Sequence, residues 1–437
     1  MLAAPVPPIP AHSLLVFLLQ VALLGLLALG LGLLATRFGL PAIVGELTAG
    51  VLLGPSVLAA VAPDLSGWLL PHDPAQMHLL DAVGQIGVLL LVGVTGTEMD
   101  FGLLRRRRAT ALWVSSSGLL IPLGLGIAAG LVLPASLRTD GSEHAVFALF
   151  LGVAMCVSAI PVIAKTLMDM NLLHRNVGQL TLAAGMVDDA FGWFMLSIVS
   201  AMATAGVTAG QISESLAYLL LVVAFALVLG RPLARAVLRP LASAGDGPPI
   251  AGAAVLMLLG AAATQAMGLE AVFGAFVVGI VIGNGRAVGL AKLAPLRTFV
   301  LAFLAPVFFA TAGLRIDLGK LADPVVLGAA LALLAIAVAG KFAGAYLGAR
   351  LSRMNRWEAL ALGAGMNARG VIEVIVAMVG LRLGVLNTAT YTIIVLIAIV
   401  TSVMAPPILR VAMRRIEHTA EEELRLNERL GTAQDAP

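Results

Sequence analysis

The chain has 437 residues, 60% of them hydrophobic and 12% charged, with a mean hydropathy of +1.02. A typical soluble domain carries roughly 25% charged residues, so a water-soluble globular protein is excluded and an all-α polytopic membrane protein is indicated. The formal net charge is +3 and the pI 9.3, a basic balance that topology explains below, so no nucleic acid is expected as a partner.

Apolar runs near the ~20 residues needed to span a bilayer predict thirteen transmembrane helices, at 12–36, 41–61, 79–98, 110–133, 145–166, 177–205, 214–240, 249–267, 270–284, 296–313, 324–349, 357–381 and 388–412. The ninth is the shortest. The N-terminal stretch has no basic n-region and no small-residue cleavage site, so no cleaved signal peptide is expected. Lys and Arg mark cytoplasmic loops. With the N-terminus outside, 21 of the 27 fall on the cytoplasmic side, and only Arg138, Arg315, Lys320 and Arg382 fall outside. Lys341 and Arg369 lie within spans. The Arg105–Arg108 run suits an inside loop; a lipid-binding patch is the other reading. Cys156, the single cysteine, can form no intrachain disulfide and fits no metal spacing.

In chain order, Gly45, Gly50 and Gly54 of the second span share their spacing with Gly274, Gly279 and Gly283 of the ninth. The third span ends in Gly96-Thr-Glu-Met-Asp100-Phe-Gly102, and the tenth in Gly313-Leu-Arg-Ile-Asp317-Leu-Gly319. Ser158-Ala-Ile-Pro161-Val-Ile of the fifth parallels Asn367-Ala-Arg-Gly370-Val-Ile of the twelfth. Each pair is seven spans apart, an odd number, so the copies run in opposite senses. An inverted repeat of six helices, a linker and six helices is expected, the organisation of many secondary transporters. Small residues at such spacing also serve ordinary helix packing, but three matches occur in one order.

Pro161 inside an apolar run removes a backbone donor and clashes with the preceding turn. Gly370, beside Asn367 and Arg369, interrupts the twelfth span at the matching place. Two broken helices are predicted, whose free ends could coordinate ions at mid-membrane; packed kinks are the alternative.

The sixth span places Asp188 and Asp189 mid-helix. A charge at that depth costs roughly 2.5–3.5 kcal/mol on insertion scales and marks an ion or proton pathway by default. Adjacent helical residues point about 100° apart, so the two acids should divide their roles, one pairing with a cation and one facing the substrate path. Lys341, central in the eleventh span, is the candidate partner, with snorkelling to the interface as its alternative. Arg369 and Glu373 stand at i and i+4, spaced for a structural ion pair. Glu46 is a further intramembrane acid. Asp81, Glu98, Asp100, Glu270 and Asp317 lie near span ends, where solvated or capping roles are expected.

These residues resemble the monovalent cation/proton antiporters of the second large branch, with bacterial sodium/proton antiporters, Kef-type proteins and plant cation/proton exchangers among them. The resemblance rests on 40–59, 157–167, 183–193, 270–283, 340–350 and 365–377, and covers nearly the whole membrane region. It implies a mobile core domain (about 79–205 and 296–381), a dimerisation scaffold (about 12–61 and 249–284), a linker helix at 214–240, a short cytoplasmic tail at 416–437 and a homodimer. It makes Asp189 the ion-binding carboxylate and Asp188 the acid paired with Lys341, with oxygens near Ser158 and Ala159 completing the shell for Na+ or K+. Pro161, Asn367, Arg369, Gly370 and Glu373 would build the crossed breaks.

The expected activity is exchange of a monovalent cation (Na+ first, Li+ or K+ otherwise) for H+ by alternating access, electrogenic if Lys341 also releases its proton. Kef-like K+/H+ exchange, a cation channel and a sodium-coupled organic-solute symporter remain alternatives. No cofactor is expected, and no enzyme, since no nucleophile elbow or metal-ligand motif is found. The tail carries no G-x-G-x-x-G segment, so no fused nucleotide-binding domain is expected. Membrane lipid completes the anticipated partners.

Overall fold

A computed structural model describes residues 8–71, 73–99, 108–205, 209–285 and 290–423. Asp100, Gly102 and Arg105–Arg107 lie outside these, and of Arg108 only the backbone is described. The helices, in chain order, are α1 Ala11–Arg37, α2 Ala42–Leu53, α3 Pro74–Thr97, α4 Arg108–Val132, α5 His144–Cys156, α6 Ile160–Asp169, α7 Asn176–Ala205, α8 Ala209–Phe225, α9 Arg231–Ser243 and α10 Gly247–Ala266. There follow α11 Ala271–Gly285, α12 Ala291–Gly313, α13 Pro324–Leu351, α14 Arg356–Met366, α15 Val371–Arg382 and α16 Thr388–Met413.

Helix starts follow side-chain chemistry. Asp73, Asp323 and Asn387 each accept a backbone N–H in the first turn of the helix they precede, and Asn355 with Glu358 forms a full capping box at α14.

Among the described residues, ten helical segments are long and apolar enough to cross a membrane, and the bent pair α14–α15 makes eleven. The expected thirteen differ for two physical reasons. The stretch 145–166 divides at 157–159 into α5 and α6, each too short to span alone. In addition, α11 has only 15 residues, about 22 Å of helix at 1.5 Å per residue, against a hydrocarbon core of about 30 Å.

Packing sorts the helices into two groups. In the first, α2 lies between α1 and α12, and α11 lies between α3 and α10. Glycine permits both approaches to α12 and α3. A Cβ on Gly50 would stand 2.0 Å from the Ala310 carbonyl oxygen, and one on Gly279 would stand 2.0 Å from that of Gly93. In the second group, α4 packs on α5, α7 and α13, while α14 and α15 pack on α16. Thus α3 and α12, grouped by the sequence reading with 324–381, pack on α11 and α2 and on each other, and α16 packs with the broken helices. The helix between the groups, α8 to α9, passes through a π-turn at Ala226–Gly230 just before Pro232. A wide turn there accommodates a proline that cannot donate its i→i−4 bond.

Candidate ion site at two helix breaks

Two interruptions lie against each other. The first, Val157–Ala159, separates α5 from α6; the second, Asn367–Gly370, separates α14 from α15, whose axes differ by 41°. Pro161 sits in the first turn of α6, where a missing N–H costs nothing. Gly370 has φ +149° and ψ −97°, a conformation essentially reserved for glycine. The breaks are joined directly: Ala159 N donates to Ala368 O at 3.2 Å, and the Ser158 hydroxyl lies 2.8 Å from Met366 O.

A helix that stops inside the bilayer leaves carbonyls without partners. At the end of α5 two cations take them up. Arg369 donates to Ala154 O at 3.0 Å, Met155 O at 2.5 Å and, on α13, Ala337 O at 3.0 Å. Lys341 donates to Cys156 O. Positive charge at a helix C-terminus is also favoured by the peptide dipoles. Arg369 further meets Glu373 Oε1 at 3.3 Å, both fully buried, so the pair expected from the i, i+4 spacing forms, with most of the guanidinium directed at backbone. On the other side, Ser402 of α16 donates to Arg369 O.

Asp188 and Asp189 are both fully buried in the middle of α7, yet their surroundings differ. Asp188 is ion-paired to Lys341 and accepts from Ser115 of α4; the Ser158 hydroxyl lies 2.9 Å from its Oδ2. One hydroxyl proton serves either Asp188 or Met366 O at any moment. Asp189 receives only a long backbone contact, Ile160 N at 3.5 Å from Oδ1, and its Oδ2 has no partner. Both polar atoms of the Asn367 side chain and Glu373 Oε2 are likewise buried without partners. The Ala159 carbonyl already accepts Ile163 N at 3.0 Å, leaving one lone pair.

Ser115 was not among the candidates from sequence. Its signal was Ser115-Ser116-Ser117 within an apolar span. Glu270, expected to be solvated, is instead 3% exposed, held by two 2.8 Å contacts from Arg382 and by Ser200 Oγ at 2.9 Å. Asp81 pairs with Arg315 and Glu98 with Arg297, and Asp317 caps Gly319 N as expected of a span end. Beyond the last span, His418 stacks on His174, and Glu422 pairs with Arg175, beside the start of α7.

Hard oxygen donors beside one unsatisfied carboxylate suit a small cation or a proton. Among the described residues, no group of three or more His, Cys, Asp and Glu side chains is placed to hold a resident metal.

The family model described as "Sodium/hydrogen exchanger, transmembrane" matches residues 22–415. The chain is 32% identical over 401 residues to the Na(+)/H(+) antiporter NhaS4 of Synechocystis sp., covering 91% of this chain and 97% of that one. It is 29% identical to the Na(+)/H(+)-K(+) antiporter GerN of Bacillus cereus, over 90% of this chain and 95% of that one. Cation/H(+) antiporter 20 of Arabidopsis thaliana is 30% identical over 84% of this chain; there the chain spans about half of the relative's length. The fold is similar to that of the sodium proton antiporter MjNhaP1 of Methanocaldococcus jannaschii, with a TM-score of 0.67 at 19% identity over 92% of this chain and 99% of that one. This multi-pass membrane chain belongs to the sodium/hydrogen exchanger family of transporters.

Proposed function

We propose that the chain exchanges a monovalent cation, Na+ first, for protons by alternating access, with Asp189 as the exchanging group. The observation that carries this reading is the contrast at α7: Asp188 has three partners, and Asp189, equally buried, has one oxygen with none. A buried carboxylate without donors is costly as an anion, so it holds either a proton or a cation. The exchange balances simply. The cation binds the carboxylate oxygens as the proton leaves Asp189 toward solvent, and on the other side the steps reverse. Asp188, Ser158, the remaining Ala159 lone pair and Asn367 Oδ1 are the further oxygens within this part of the fold. If Lys341 gives up its proton as the cation arrives, Asp188 joins the ligands and two protons move per cation.

The thirteen-helix inverted repeat with crossed breaks belongs to this proposal. It is supported by reciprocal contacts: α2 packs on α12, the counterpart of α3, while α11, the counterpart of α2, packs on α3. A two-fold relation between the halves requires that exchange. The packing also suggests a division into α1–α3 with α10–α12 as scaffold and α4–α7 with α13–α16 as the moving unit, joined by α8–α9. The sequence grouping placed α3 and α12 in the mobile core. The excess of Lys and Arg at one end supports an outside N-terminus and a cytoplasmic C-terminus.

The test is proton flux in proteoliposomes loaded with a pH dye and challenged in turn with Na+, K+ and Li+. Cation-driven flux in the wild type that vanishes in Asp189→Asn establishes antiport and identifies the ion. No flux with any cation in folded wild-type protein overturns it.

A further inference from the structure

An apolar groove of about 350 Å³ opens on the outer face of the linker region, far in sequence from the helix breaks. Its walls are Leu221, Phe225 and Leu233 of the α8–α9 helix, Leu256 and Ala263 of α10, and Val278 of α11. The π-turn widens the linker helix beside it, and Gly230 seats that helix against Val281, since a Cβ there would lie 2.9 Å from Val281 Cγ2. From Leu221 to Ala234, the last lining residue of the linker, the groove follows the helix for about 20 Å. That exceeds half of a hydrocarbon core about 30 Å thick, so it runs the depth of one leaflet.

The end of the groove is charged. Arg231, Arg235 and Arg239 are exposed and stand at i, i+4 and i+8 on α9, one strip of that helix. Arg231 lies one residue from Gly230 and three from Ala234, both of which line the groove, so the strip begins at its mouth. Among the described residues, neither Arg231 nor Arg239 meets a carboxylate. Lys292 approaches the same end, donating to Ala242 O at 2.9 Å.

We propose that this groove binds one acyl chain of an anionic phospholipid, whose phosphate is held by the arginine strip of α9. An apolar slot one leaflet deep, ending at cations, matches an acyl chain ending at a phosphate. A second copy of the chain fits less well, because a two-fold interface here would bring the arginine strip toward its own copy. The site lies on the helix that joins the two packing groups, so the bound lipid stiffens that connection.

The full-length protein, purified in detergent, is titrated with phosphatidylglycerol and with phosphatidylcholine, and bound lipid is read by native mass spectrometry. One phosphatidylglycerol should bind in preference to phosphatidylcholine. The double variant Arg231→Gln/Arg239→Gln should lose roughly fivefold in affinity per arginine, about thirtyfold together. Ala263→Phe, which fills the groove and keeps the charges, should abolish the preference at unchanged melting temperature; Ala226→Phe on the opposite wall replaces it if melting falls. Equal binding of the two lipids overturns the proposal. So does an arginine effect without a groove effect, which would mean surface charge alone. Intermolecular crosslinking through Ala263→Cys that displaces lipid would give the groove to a second copy and overturn it as well.

Discussion

Asp188 and Asp189 sit one residue apart at the same depth of the same helix, yet one is part of the framework and the other is not. Around Asp188 the two cations are committed to the framework: Lys341 holds it and Cys156 O, while Arg369 closes the end of α5 and reaches α13. Asp189 is left without a partner at Oδ2, and at the second break both ends of the Asn367 amide, Glu373 Oε2 and Arg369 Nε are unpartnered as well. Buried polar groups are hydrogen-bonded in more than about nine cases in ten, so unpartnered atoms gathered at one break single it out. Charge at membrane depth therefore has two meanings here, and a donor-by-donor accounting separates them.

The largest effects should fall on opposite readouts for the two sides. Asp189→Asn should bring cation-driven proton flux to the protein-free baseline and leave the melting temperature in detergent near wild type, because no strong bond to Asp189 is lost. A large drop in melting would place Asp189 in the framework with Asp188. Arg369→Ala should do the reverse. It leaves three carbonyls and Glu373 without their donor, and breaking a buried pair costs about 3–5 kcal/mol; an unchanged melting temperature would refute that role.

Lys341→Gln probes the boundary between the sides. Ser115 and Ser158 still face Asp188 in this variant, so transport should persist while the charge moved per cycle falls, measured with a potential-sensitive dye in the same vesicles. Unchanged stoichiometry would remove Lys341 from the proton count and leave it purely structural. Gly370→Ala should cost about 1–3 kcal/mol, the usual range for a residue forced into a sparsely populated backbone region. Wild-type melting there would mean that the second break relaxes freely.

The two sides were unequally legible in the sequence. Both breaks announce themselves through Pro161 and Gly370, whose backbone restrictions act locally, and Asp188, Asp189 and Lys341 are conspicuous because charge is rare in apolar runs. Ser115 is different. A serine in a helix can satisfy itself on the preceding turn, as Ser117 does by donating to Trp113 O at 2.6 Å. Which of three consecutive serines reaches Asp188 is decided by how α4 packs on α7, which no local pattern encodes. Glu270 was misread for the same reason: its partner Arg382 lies 112 residues away, and a span end looks solvated until another helix covers it. The packing of α2 on α12 and of α11 on α3 likewise depends on glycines in helices far apart in sequence.

Outside the membrane, Glu422 supplies a control for the accounting, with the smallest expected effect. Burial alone would push its carboxyl up, yet backbone N–H bonds from Asn176 and Thr419, with the Arg175 guanidinium, outweigh it and hold the group below the ordinary carboxylate value. A depressed native pKa contributes stability that is fully present above the unfolded value, about 4.3, and is lost as pH falls through the lower native one. Protection of the Asn176 and Thr419 amides from hydrogen exchange should therefore hold from pH 7 to about 5 and weaken only below about 4. In Glu422→Gln that acid step should disappear. The rings of His174 and His418 stack beside this contact, 6.3 Å apart. Protection that already weakens well above about pH 5, or an acid step that survives in Glu422→Gln, would take control of the tail contact away from this carboxylate.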